Sequence, residues 1–188
     1  MRETKKMVLC AILTALVVVL QFMGAFVKLG PFSISLVLIP IVIGTATCGK
    51  NVGAWLGLVF GVVVLISGDA AAFLAVNAPG TILTVLVKGI ACGYVSGIVY
   101  KQMERFNRYF AVFTAAVVCP LINTGVFLIG CLLFFMDTIS GWAVSAGFSG
   151  GVAKYMIFVL VGGNFLFELL LNLIVSPAVV RLLNIRLR

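Results

Sequence analysis

Apolar residues fill six long blocks of this chain, and polar residues gather in the short stretches between them. The blocks run near 7–26, 34–48, 52–66, 81–100, 109–135 and 156–180. A helix needs roughly 20 apolar residues to cross a bilayer, so the pattern predicts a compact all-α integral membrane bundle of six transmembrane helices. The whole chain, 1–188, forms one membrane domain. The second block is short and broken by Pro40; the fifth contains Pro120 and the sixth ends near Pro177. Gly30-Pro31 and Gly49-Lys50-Asn51 mark turns. Two longer stretches, Ser67–Gly80 with Asp69, Asn77 and Pro79, and Met136–Tyr155 with Asp137, Trp142 and Lys154, read as irregular connections.

Composition narrows the class. The chain is 63% hydrophobic and 10% charged, with mean hydropathy +1.29, and this is a membrane rather than a soluble composition. Arg2, Lys5 and Lys6 precede the first block, which is too long for a signal-peptide core and lacks a small-residue cleavage pattern, so it reads as a first transmembrane helix. Six spans put both termini on one side. Ten basic residues (Arg2, Lys5, Lys6, Lys50, Lys101, Arg105, Arg108, Arg181, Arg186, Arg188) fall on that side against two, Lys28 and Lys154, on the other. The bias predicts cytoplasmic termini and longer outer loops at 27–33, 67–80 and 136–155. Such loops are binding elements or lids, with passive connection as the alternative. The net charge of +8 is accounted for by these clusters beside apolar segments, so nucleic acid is not an expected partner.

The five cysteines, Cys10, Cys48, Cys92, Cys119 and Cys131, form no C-x-x-C pair, and the chain has no histidine. The usual metal ligand, general base and nucleophile pairings are therefore missing. No metal, cofactor or enzymatic activity is expected.

Two charges sit inside apolar blocks, Lys88 and Glu168. A charge at membrane depth costs about 2.5–3.5 kcal/mol on insertion scales, so each faces the bundle interior, is paired, or contacts something polar. Lys88 and Asn164 lie seven or eight residues into the fourth and sixth blocks, roughly 10–12 Å deep at 1.5 Å per residue. Glu168 is one helical turn beyond Asn164, and Asn172 one more. Asn123 lies beside Pro120 in the fifth block. Lys88, Asn123, Asn164 and Glu168 are thus candidates to line one pocket open to the outside, with Asn77 and Asp69 closing it from above. Lys88 would meet an anionic group, and the asparagines would supply donors and acceptors. The alternative is a structural Lys88–Glu168 ion pair; the two readings are compatible. Gln21 reads as a satisfied polar residue. Gly53, Gly57, Gly61 and Gly89, Gly93, Gly97 make two small-residue stripes that predict close helix packing. Ala11 and Ala15 make a milder stripe that would suit a partner protein.

Six short helices in about 190 residues, the basic N-terminus, Ala11-x-x-x-Ala15, the long outer loops and the polar residues of spans four to six resemble the substrate-binding subunit, or S component, of energy-coupling factor (ECF) vitamin transporters. The resemblance implies a multi-pass protein of the bacterial cell membrane that binds a vitamin from outside. It implies as partners a coupling transmembrane subunit, contacted through Ala11 and Ala15, and two cytoplasmic ATPase subunits. ATP would be hydrolysed by those partners, since this chain has no G-x-x-x-x-G-K-[ST] phosphate loop. Leu29-Gly-Pro-Phe-Ser-Ile-Ser-Leu36, Gly53-Ala-Trp-Leu-Gly57 and Cys119-Pro-Leu-Ile-Asn-Thr-Gly125 are similar to the pantothenate-type branch. Pantothenate would offer a carboxylate to Lys88 and an amide and hydroxyls to Asn123, Asn164 and Asn77. Riboflavin, thiamine and folate, or a stand-alone small-solute carrier, are the alternatives.

Overall fold

A computed structural model describes residues 3–26, 28–29, 32–33 and 36–185 of the chain. Its elements are α1 (Glu3–Phe26), β1 (Lys28–Leu29), β2 (Phe32–Ser33), α2 (Leu38–Cys48), α3 (Lys50–Ile66), α4 (Ala71–Leu74), α5 (Ala78–Met103), α6 (Arg108–Phe134), α7 (Met136–Ser145), α8 (Val152–Tyr155) and α9 (Gly163–Ile185). A π-helical stretch, Met156–Gly162, joins α8 to α9. The two strands pair antiparallel over two residues each. Otherwise the described residues form an all-α protein. Arg2, Arg186 and Arg188, part of the charge asymmetry, lie outside the described residues.

Among the described residues, four helices are long and apolar enough to cross a membrane: Glu3–Gly24, Ala78–Met103, Arg108–Phe134 and Val152–Val179. Of the expected second span, 34–48, positions 34 and 35 lie outside the described residues, and the described helix runs Leu38–Cys48. Its 11 residues make a rod of about 16 Å, roughly half a hydrocarbon core. The helix α3 is intermediate at 17 residues.

The connections read as irregular are partly helical. Asn77 is the N-cap of α5, its side-chain oxygen accepting the Gly80 N–H at 3.0 Å. Pro79 then stands in the first turn, where its missing N–H costs nothing. Asn-x-Pro therefore starts the helix at Ala78 rather than near 81. The 136–155 stretch likewise contains α7 and α8.

Helix α5 is central, packed between α3 and α6, and α6 packs in turn on α9. The α3–α5 contact is built on the two glycine stripes. A Cβ at Gly57 would overlap the Gly89 carbonyl, and one at Gly93 the Gly53 carbonyl. One at Gly97 would stand 2.6 Å from the Lys50 Cα. The two backbones touch, as small residues permit between membrane helices. Trp55 ties α3 to α1 by donating to the Thr14 hydroxyl at 3.2 Å.

The interior holds two apolar clusters. One gathers Leu13, Val17, Ile41, Leu56, Phe60 and Val112 from α1, α2, α3 and α6. The other gathers Phe73, Cys131, Phe135, Ile139, Tyr155 and Leu160 around α4, α7 and the π stretch. Large apolar side chains such as Met7, Ile12, Phe113, Leu133 and Ile174 face outward. So broad an apolar exterior suits lipid, not water.

Candidate functional site

A cavity opens beside the second apolar cluster, which supplies Leu160, Val161, Phe127 and Phe165 to its wall. Its polar lining is Asp69, Lys88, Asn123, Thr124, Asn164 and Glu168. Helix α5 supplies Lys88, α6 supplies Asn123, Thr124 and Phe127, and the link between α3 and α4 supplies Asp69. The last helix contributes at one-turn spacing, Leu160, Asn164 and Glu168.

The path of that last helix is set by the π stretch. A Cβ on Gly162 would lie 2.7 Å from the carbonyl oxygen of Ile157, five residues earlier. Glycine leaves the widened turn room. Single π turns inside helices are frequent at functional sites. Pro120, one turn before Asn123 in α6, removes a backbone donor at the same level.

The ammonium of Lys88 stands over two aromatic faces, 5.5 Å from the Phe60 centroid and 5.3 Å from that of Phe127. Desolvated cation–π contacts contribute about 2 kcal/mol, so the two rings supply part of what the charge loses on leaving water. Phe127 is in turn held edge-on by Phe73 at 5.7 Å, and Phe73 packs the same way on Phe135 and Trp142. This aromatic cluster joins α4, α6 and α7 beside the cavity.

Asn123 is 5% exposed, and its Oδ1 has no hydrogen-bond partner among the described residues. A buried polar atom left unpaired costs about 1–3 kcal/mol. Glu168 is 4% exposed. Asp69 accepts from the Gln21 Nε2 at 3.2 Å, which gives Gln21, itself buried, its partner and fixes the α3–α4 link against α1.

Five of the sequence candidates, Lys88, Asn123, Asn164, Glu168 and Asp69, therefore line one cavity. Asn77 does not; its side chain is engaged in capping α5. Asn172 turns back to its own helix, donating to the Glu168 carbonyl at 2.8 Å. Phe60 and Phe127 had not been singled out. Phe127 lies one turn from Asn123, a spacing that was available to be read. Phe60 comes from another helix and shows only in three dimensions. Ala11 and Ala15 are exposed on α1, among Met7, Val8 and Ile12.

Chemically the cavity offers one cation, two carboxylates and two amides. This set can bind a small solute carrying both an anionic oxygen and N–H or O–H donors. Among the described residues no group of three or more His, Cys, Asp or Glu side chains could hold a metal.

The family model for the ECF transporter substrate-specific component matches residues 5–181. The chain belongs to that family. This S component is thus the substrate-specific subunit of an ECF transporter, a multi-pass membrane protein with a small-molecule substrate and an ECF module as partner. Its family is one of transport subunits, not of enzymes. No curated protein matches the chain, and no solved structure does.

Proposed function

We propose that this S component binds a vitamin, most simply pantothenate, in the cavity between α5, α6 and α9. The observation that carries the reading is the convergence of Lys88, Asn123, Asn164 and Glu168 on one space, with the Asn123 Oδ1 buried and unpaired. Lys88 receives the substrate carboxylate, and Asn123 and Asn164 receive its amide and hydroxyl groups. The cavity encloses about 70 Å³, well below the roughly 300 Å³ of a small-molecule pocket. Binding therefore widens it.

In this reading the six apolar helices cross the bacterial cell membrane with both termini cytoplasmic. The site opens outward beside α4 and α7. Ala11 and Ala15 meet the coupling subunit, and two partner ATPases drive release of the vitamin inside. The chain itself carries no cofactor.

A second reading, thiamine, is favoured by the carboxylates of Asp69 and Glu168 in the same lining, which would hold a cationic ring. Calorimetry of the detergent-purified protein with pantothenate, thiamine, riboflavin and folate tests both. Submicromolar binding of one vitamin, weakened tenfold or more (about 1.4 kcal/mol) by Lys88→Ala, is expected. Absence of binding across the panel by a folded protein would refute the vitamin assignment.

A further inference from the structure

A second, smaller cavity of about 40 Å³ also borders Lys88, lined by Val64, Thr81, Thr84, Val85, Phe73 and Phe135. It shares three wall residues with the first: Asp69, Lys88 and Phe127. These three residues border both spaces. Side-chain rotation is the cheapest motion available in a packed interior, and the Phe127 ring is attached through rotatable χ angles.

The second cavity has its own unpaired polar group. Thr84 is 6% exposed, and its hydroxyl has no hydrogen-bond partner among the described residues. Other helical threonines satisfy the hydroxyl locally. Thr14, Thr47, Thr81 and Thr114 each donate to the carbonyl four residues earlier, as such side chains commonly do. Thr84 does not. Its side chain fills the space that a Cβ on Gly130 of α6 would need, so the facing helix holds it in place. Asn123 Oδ1 in the first cavity and Thr84 Oγ1 in the second are thus each buried without a hydrogen-bond partner among the described residues. Either costs about 1–3 kcal/mol if it stays so.

We infer that the two cavities are the lobes of one site, and that the substrate spans both, passing Phe127 at the waist. This rests on the substrate-binding reading above and adds its shape. The substrate class is an elongated, flexible organic solute. One end carries an N–H or O–H donor for Asn123 Oδ1. The other end carries a hydroxyl, carbonyl or carboxylate oxygen for Thr84. Lys88, accessible from both lobes, takes an anionic or carbonyl oxygen near the middle. Thr84 is a specificity residue under this arrangement, because a solute too short to reach it leaves its hydroxyl unpaired.

The test is calorimetry with pantothenate, thiamine, riboflavin and folate on the wild type, Thr84→Val, Thr84→Ser and Lys88→Ala. Valine keeps the shape and removes the hydroxyl. Thr84→Val is expected to weaken the vitamin that binds by tenfold or more. Its unfolding temperature should stay level or rise, since an unpaired buried hydroxyl has been removed. Thr84→Ser, which restores the hydroxyl, should bind within about threefold of wild type, equivalent to about 0.7 kcal/mol. If Thr84→Val and Thr84→Ser both bind like wild type while Lys88→Ala is impaired, the substrate uses the first lobe only. The inference is then overturned and the substrate-binding reading stands. If Thr84→Val and Thr84→Ser lose affinity equally, the hydroxyl is not the contact and the inference again fails. If the folded wild type binds no vitamin, both readings fall together.

Discussion

Adding one methyl group at the α3–α5 contact should separate the helices and weaken both the fold and the site. In Gly57→Ala the new Cβ would overlap the Gly89 carbonyl oxygen, with the Ile90 N only 3.2 Å away. No side-chain rotation relieves an overlap with backbone. At Gly97 the nearest atom is the Lys50 Cα at 2.6 Å, and at Gly61 the Val85 oxygen at 2.9 Å. Ordinary contact begins near 3.4 Å. The helices must therefore part by about 1 Å or more at Gly57 and by about half an ångström at Gly61. Overpacking of this kind costs about 1–3 kcal/mol, against a helix-propensity gain of about 1 kcal/mol for glycine to alanine. The net loss for Gly57→Ala is then about 2 kcal/mol, and for Gly61→Ala it is close to zero. At about 2–4 °C per kcal/mol for a chain of this size, Gly57→Ala should unfold roughly 4–8 °C lower. The control is Gly141→Ala in α7, where nothing lies within 4 Å of the added Cβ and a slight stabilisation is expected. The assay is thermal unfolding in one detergent, followed by near-UV circular dichroism. Because Lys88 precedes Gly89 on α5, vitamin affinity should fall in the same order as stability. Gly57→Ala unfolding at the temperature of Gly141→Ala would refute the reasoning, since the two backbones would not then be in contact.

Two further substitutions separate structural roles from binding roles. Asn77→Ala removes the α5 cap and should cost about 1 kcal/mol, a fall of about 2–4 °C in unfolding temperature. Vitamin affinity should stay within about twofold, and a tenfold loss of affinity at unchanged stability would return Asn77 to the binding set. Ala11→Trp together with Ala15→Trp should leave vitamin binding intact and abolish co-purification with the coupling subunit; a complex of normal yield would move the partner contact elsewhere on the surface.

The polar lining of the candidate cavity was legible in the sequence because intramembrane polar residues are rare enough to count. Lys88, Asn123, Asn164 and Glu168 stand out in apolar blocks, and one-turn spacing already aligned Asn164 with Glu168. The glycine stripes were legible for the same reason, as four-residue repeats in segments with little else to distinguish them. Three things were not. Asn77-Ala-Pro79 looks like a loop when Asn and Pro are taken as breakers, yet the same residues form a capped helix start. The Gly- and Ser-rich 136–155 stretch was assigned by composition, whereas α7 is held by burial of Ile139 and Ala143 against the second apolar cluster. Thr84 is one turn before Lys88 and reads as an ordinary helical threonine. Only the absence of its carbonyl bond, visible in three dimensions, distinguishes it.

The cavity has one stiff side and one yielding side. Lys88 and Thr84 sit on α5, which is locked to α3 by backbone contact along two glycine stripes; Phe60 stands on α3 itself. Helices that touch through glycine have no side chains to rearrange, so this wall can shift only as a unit. The opposite wall is formed by α6 and the last helix. There Pro120 removes a hydrogen bond, and the π stretch Met156–Gly162 and Pro177 interrupt the regular ladder of the final helix. Bends in helices concentrate at such points. If this cavity takes the substrate as proposed, it must enlarge from about 70 Å³, and it will do so by moving the wall whose backbone is already irregular. Asn123 and Asn164 lie on that wall and Lys88 on the other. The polar groups are thus divided between the rigid half and the movable half, and under the proposed reading a bound substrate bridges the two.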